Sequence, residues 1–219
     1  FDIEANGLDD ADTVWMVSTK DAITGERRTY RPHQVEDGVR ELYSADVIIG
    51  HNIINYDVPT VDRILGIDKP KSVKVIDTYL LSMLLSPDRQ KPFGMVGRKG
   101  THSLEAWGYR AGVKKPEHDE WHRFSEDMVH RCEQDVEITE YVYKTLCAEG
   151  SLDYTDPYKD SPWLDAIKLE QQVQLYINEV EKNGFPVSEV KITDLGEKGT
   201  SVNPDHFYNW LMFCANHLV

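Results

Sequence analysis

The chain has 219 residues, room for one large domain or for a domain with part of a second, and 40% of them are hydrophobic, enough to bury a core. With 24 basic against 38 acidic residues the net charge is −14, which argues against a protein that coats duplex nucleic acid by neutralising phosphates but leaves room for one that holds metal ions. No apolar run reaches membrane-spanning length, no secretory leader is expected, and Cys132, Cys147 and Cys214 show no CxxC pair or framework spacing, which fits a reducing, intracellular setting.

The chain opens mid-strand without Met, so its natural start is expected further upstream. Phe1-Asp2-Ile3-Glu4 reads as a strand, and alternation along a strand puts Asp2 and Glu4 on one face. Two adjacent carboxylates in an apolar setting repel each other and tend to pick up protons, a conflict that a hard divalent cation removes. The pair is therefore half of a metal site or two solvated acids on a surface strand. Ala5 to Leu8 is a strand end and turn. Thr13 to Thr19 and Arg27 to Tyr30, separated by turn chemistry at Asp21 to Gly25, continue as an antiparallel meander. Val35 to Leu42 fits a short helix. Asp46 to Gly50 is a short apolar run typical of a strand buried on both faces. His51 to Asp57 follow its C-terminal end, where open α/β sheets place their sites. Asp57 begins a helix running from Val58 to Leu65, as a cap or as a ligand.

Val73 to Asp77 is the next strand and feeds a helix over Thr78 to Leu85. Ser86 to Thr101 reads as a mobile loop, whose Arg89, Lys91, Arg98 and Lys99 are phosphate contacts or solvated charges. A helix starts at His102 or Ser103 with Leu104 and Trp107 on its core face. A longer one, capped by Ser125, runs to about Ala148 and carries Asp135. Gly150 to Pro162 reads as a linker, Trp163 to Asn183 as an amphipathic helix stopped by Gly184, and Asp205 to Leu218 as a short helix with an apolar stripe.

Asp2-x-Glu4, Asn52-x-x-x-Tyr56-Asp57 and Asp135, in that order, resemble the three motifs of the DEDD exonuclease superfamily. More narrowly, Asp2 to Leu8, His51-Asn52 with Tyr56 to Pro59, Ile76-Asp77-Thr78, His102 to Arg110 and Gln134-Asp135-Val136 resemble the proofreading domain of phage-type family A DNA polymerases. Asn183-Gly184-Phe185-Pro186 resembles the passage from that domain into a thumb. The likeness covers residues 1 to about 187, and the palm and fingers motifs are absent.

The resemblance implies an α/β, ribonuclease-H-like fold with a mixed five-stranded sheet flanked by helices. It implies an exonuclease domain at residues 1–150, and at 151–219 a linker and helical segment resembling the start of a polymerase domain. The implied activity is metal-dependent 3′→5′ hydrolysis of single-stranded DNA or frayed primer ends, proofreading for a phage DNA polymerase in the host cytoplasm. Two Mg²⁺ or Mn²⁺ ions would be held by Asp2, Glu4, Asp57 and Asp135, since two ions about 4 Å apart can clamp an in-line displacement. Asn6, Gly7, Leu8 and Asn52 are the implied contacts to the terminal nucleotide, with Leu8 wedging against the last base. One departure concerns the third motif. The family carries Tyr four residues before its aspartate or His five before, and here Arg131 and His130 hold those positions. His130 fits a general base by count. Arg131 fits by helical face, because five residues turn roughly 500° and leave His130 about 140° from Asp135. The alternatives are an RNA-trimming ribonuclease of the superfamily and an inactive exonuclease-like scaffold for a polymerase.

Overall fold

A computed structural model describes residues 1–8, 10–96, 100–113 and 121–184. The predicted helix at 205–218, the segments after Gly184, and Arg98 and Lys99 lie outside them. The chain divides into two units, Phe1–Asn178 and Glu179–Val219.

Three strands make an antiparallel meander, β1 (Asp2–Ala5), β2 (Val14–Lys20) and β3 (Arg27–Tyr30). Two more, β4 (Val47–Gly50) and β5 (Lys74–Asp77), pair in parallel. The predicted single five-stranded sheet is thus corrected: among the described residues the ladders form sheets of three and two strands. The two sheets meet at Phe1, whose nitrogen donates to Ile49 O at 2.7 Å, a bond that ties the β1 edge to β4 without continuing as a ladder. Beside it, between the end of β2 and the start of β4, is a cavity of about 480 Å³ lined by Phe1, Lys20 and Val47 among others. Gly50 permits the close approach, because a Cβ there would come within 3.1 Å of Phe1 O and would collide with Ile53.

Alternation along the strands sorts apolar side chains to opposite faces. Ile3, Val17 and Ile48 join Val35 and Val39 of α1 (Val35–Leu42) and Val61 of α2 (Asp57–Leu65) in one cluster. Ile76 and Ile49 face a second cluster. It is built from Leu81 of α3 (Thr78–Leu85), Trp107 of α4 (Leu104–Ala111), and Ile138, Val142 and Leu146 of α5 (Glu126–Gly150). A third joins Met16 to Met128, Val129 and Cys132. Helices therefore cover both faces, the α/β arrangement that the strand pattern predicts.

The long α5 is set by its sequence. Ser125 caps it, its hydroxyl accepting from Met128 N at 3.2 Å, and Glu126 and Asp127 complement its first turn. Glu133 accepts from Thr29 Oγ1 at 2.6 Å, while Glu137 and Glu140 grip Lys20 Nζ at 2.9 and 2.7 Å. These three acids fasten one flank of α5 over β2 and β3. Asp135, about 200° round the helix from Glu133, is thereby turned to the other flank, beside β1.

The predicted linker at Gly150 to Pro162 is a packed strap. Gly150 closes α5, Tyr143 OH donates to Tyr154 O at 2.9 Å, and Tyr158 OH donates to Val75 O. The final helix, α6 (Leu164–Asn183), buries Ile167 and sends Gln171 Nε2 to Val75 O at 2.9 Å. Those anchors lie within the first unit, which runs to Asn178. Of the second unit, residues 179–184 are the end of α6 and its stop at Gly184, φ 66°. No helix among the described residues is long and apolar enough to cross a membrane.

Candidate active site

β1 carries the first two acids. Asp2 pairs with Ser18 and Glu4 with Met16, which puts both carboxylates on the face that α5 covers. Between Glu4 and Ala5 the register shifts, because Ala5 pairs with Val14 and Trp15 is left over as a bulge. Bulges bend a strand and re-aim its side chains, and this one sits beside Glu4.

Asp57 arrives from the other direction. It is the first residue of α2, and its Oδ1 accepts a hydrogen bond from Ile3 N, the residue between the two β1 acids, at 3.2 Å. Asp135 comes from α5, one helical turn beyond Cys132, whose Sγ donates to Asp2 O at 3.5 Å. Glu4, Asp57 and Asp135 are only 7%, 4% and 3% exposed, while Asp2 is half-buried. Withdrawing several ionised carboxylates from water together costs several kcal/mol for each ion that lacks a counter-charge.

The electrostatics report the crowding. Burial, followed by the charge of Asp2, pushes the Asp57 carboxyl well above the carboxylate range, against the pull of the Ile3 N–H. Tyr56 is pushed up to about 12 by burial and then by Asp57, Glu4 and Asp2. Burial pushes the Cys132 thiol well up, followed by Asp2, Glu4 and Asp135. Asp2 is thus felt by Asp57 at the head of α2 and by Cys132 on α5, Glu4 by Tyr56 just before α2 and by Cys132, and Asp135 by the cysteine that touches Asp2.

Candidate ligand atoms of Asp2, Glu4 and Cys132 lie within 4.8 Å of one another. Cys132 is a soft sulfur donor that already gives its thiol to Asp2 O, and burial among acids disfavours its thiolate, so it suits Mg²⁺ or Mn²⁺ less than carboxylate oxygen does. The donors that fit are the carboxylate oxygens, whose hardness and shared charge suit Mg²⁺ or Mn²⁺.

The loop that delivers Asp57 is held by an acid of another kind. Asp77 is 1% exposed. Its Oδ1 accepts from Asn52 N and from Tyr79 N, both at 2.9 Å, and its Oδ2 accepts from Ile54 N at 3.0 Å. The same side chain thus caps α3 and clamps the turn at Asn52, which adopts a left-handed φ of 63° that Asn tolerates better than most residues. Tyr56 OH donates to Gly7 O at 2.6 Å and ties that turn to the loop after β1.

The expected nucleotide contacts fare differently. Leu8 is 72% exposed and free to meet a base, and Asn52 is half-buried beside the acids' loop. Gly7 gives its carbonyl to Tyr56. Asn6 is engaged locally: its Nδ2 donates to Asp12 Oδ1 at 2.7 Å and its Oδ1 accepts from Asp12 N and Thr13 N at 3.0 and 3.1 Å. Its amide closes the local loop. His130 is not brought to the acids. It is exposed on an uninterrupted α5, and Arg131 takes the inward face, Nε 3.6 Å from Glu4 Oε1. Of the loop cations, Arg89 is committed to Glu149 at 2.6 Å and stacks 4.6 Å from the centre of the Trp107 ring. Its role is to fasten the loop. Sequence reasoning gave no role to Asp77, Cys132, Trp15 or Trp121. For Asp77 a signal existed, an acid just before a helix start; the others act across more than a hundred residues of chain.

No protein-family model matches the chain. Two curated proteins do. The DNA-directed DNA polymerase of Escherichia phage T7 is 27% identical over 238 residues, covering 89% of this chain and 34% of its own length. That of Enterobacteria phage T3 matches with the same figures. Over this stretch the chain is similar to phage DNA-directed DNA polymerases. It spans about a third of the length of these relatives, 34% in each.

Proposed function

We propose that this chain is a divalent-metal-dependent 3′→5′ exonuclease domain of ribonuclease-H-like fold, acting on single-stranded or frayed DNA 3′ ends. Its partner would be the polymerase domain of the same chain or complex, its task proofreading, and its setting the host cytoplasm. The observation that carries the reading is the bond from Ile3 N to Asp57 Oδ1, which brings an acid of the second motif between the two acids of the first. Similarity to phage polymerases supports a place in DNA synthesis.

Asp2, Glu4, Asp57 and Asp135 would hold two Mg²⁺ or Mn²⁺ ions. When bound, the ions would activate water and neutralise the leaving 3′ oxygen. The chain's own residues do the rest. Asp77 and Tyr56 fix the loop that aims Asp57. Leu8, projecting from the loop after β1, offers an apolar surface on which the last base stacks once it leaves its partner. A mismatched end unpairs at lower cost and is therefore the better substrate.

The test is digestion of end-labelled single-stranded DNA and of RNA of the same sequence, with Mn²⁺. Mononucleotide release from the 3′ end of DNA is expected, and Asp2→Ala or Asp135→Ala should lower it by about 10³-fold or more, with circular dichroism unchanged. Preferential digestion of RNA would instead identify a trimming ribonuclease. Intact DNA and RNA with folded wild-type protein would leave only a scaffold.

A further inference from the structure

Where the resembled family carries Tyr four residues before its last acid, this chain carries an arginine, and its surroundings are specific. The Arg131 and Glu4 side chains are 18% and 8% exposed, so the pair is largely shielded from water. The separation of 3.6 Å is an ion pair, longer than a charge-assisted hydrogen bond of about 2.7–2.9 Å. The guanidinium carbon lies 5.0 Å from the centre of the Trp121 ring, within cation–π range. Trp121 O in turn accepts from Trp15 Nε1 at 2.9 Å, and Trp15 is the bulge residue beside Glu4. The strand paired with the acid's own therefore anchors the platform under its cation. A guanidinium keeps its charge across the working pH range and cannot serve as a base, unlike an imidazole, but its planar fork matches phosphate oxygens.

We propose that Arg131 is the resident counter-charge of Glu4, and that Glu4 exchanges it for a divalent ion, releasing the guanidinium to pair with a phosphate oxygen of the substrate. This rests on the exonuclease reading and gives it a feature of its own: one cation holds the acid until metal arrives, then serves the phosphate. Metal affinity is lowered in consequence, because each ion entering must compete with a tethered positive charge. Trp121 keeps the displaced side chain from dispersing into solvent.

The experiment compares the full chain with Arg131→Met and Arg131→Lys. Mn²⁺ binding is followed by electron paramagnetic resonance without DNA, and thermal unfolding is followed in EDTA and in saturating Mn²⁺. Arg131→Met is expected to bind Mn²⁺ roughly tenfold tighter, since a like charge has left the site, and Arg131→Lys within about twofold of wild type. In EDTA the Met variant should melt below wild type, and Mn²⁺ should close that gap. Should the Met variant fail to fold in EDTA, Arg131→Gln, which is uncharged but polar, takes its place with the same expectation. On single-stranded DNA, Arg131→Lys should lower kcat roughly tenfold with its Mn²⁺ affinity kept, because the bidentate fork is lost. Equal Mn²⁺ affinity in the wild type and the uncharged variant overturns the exchange and leaves Arg131 a packing residue. An unchanged kcat in Arg131→Lys overturns its service to the phosphate. Absence of Mn²⁺ binding by the wild type overturns the metal reading itself, and the exchange with it.

Discussion

Two buried acid sites lie on either side of the Asn52 turn, and they treat charge in opposite ways. Asp77, 1% exposed, is surrounded by donors: the N–H groups of Asn52, Ile54 and Tyr79 converge on its two oxygens. Burial raises its carboxyl, and the pull of backbone N–H groups opposes that. Asp57 has the Ile3 N–H, but it also has Asp2, whose charge adds to burial instead of opposing it. Equal concealment therefore serves different ends. A carboxylate enclosed by N–H groups organises backbone, while carboxylates enclosed by one another store an electrostatic conflict that a cation resolves.

Substitutions on the two sides should separate these roles, and the largest effect belongs to Asp77. Removing its carboxylate leaves three N–H groups buried without an acceptor and uncaps α3. Asp77→Ala is therefore expected to lose about 3 kcal/mol in denaturant unfolding, and cleavage with it. Asp57→Asn should change stability with the opposite sign, gaining about 1 kcal/mol near neutral pH in EDTA while losing metal-dependent cleavage. Its pH dependence follows from a raised folded value. Protonated in both states at low pH, Asp57 costs nothing there. As pH rises from the ordinary aspartate value through the raised one, the folded state must ionise a group that the unfolded chain ionises more readily, and stability falls. That decline should be shallower in Asp57→Asn when unfolding is measured across this range, and an identical slope would show that Asp57 is not under strain. Tyr56→Phe removes the bond to Gly7 O and should cost about 1 kcal/mol, with cleavage of frayed ends reduced more than stability. Smallest of all, His130→Ala should leave melting and the pH profile of cleavage unchanged, because the imidazole is exposed on α5.

Much of the framework is legible in the residues alone. Asp2 and Glu4 share a face because a strand alternates, Ser103 and Ser125 cap α4 and α5 as hydroxyls before helical runs do, and the short apolar runs at 47–50 and 74–77 pair in parallel. Helical periodicity alone favours Arg131 over His130 on the inward face, whereas matching by count favours His130. Other features depend on contacts that no local pattern carries. The bulge at Trp15 appears only once β1 and β2 are in register, and the Trp15–Trp121 bond spans 106 residues. Where the β1 edge meets β4 by the Phe1–Ile49 bond and the ladder stops is likewise set by tertiary contact, which composition does not encode. Asn6 reads as a nucleotide contact by resemblance alone, and its bonds to Asp12 and Thr13 depend on a loop that returns to meet it.

The Trp15 bulge also constrains how this edge can evolve. Downstream of it, β2 faces β1 in a register where Met16 meets Glu4 and Ser18 meets Asp2. Losing or gaining one residue between Met16 and Ser18 would exchange the two faces of the strand, sending core methyl groups to the acids and polar groups into the core. Drift along Val14–Lys20 is thus confined to replacement of one side chain by another, while length variation is left to the exposed turn at Asp21 to Gly25.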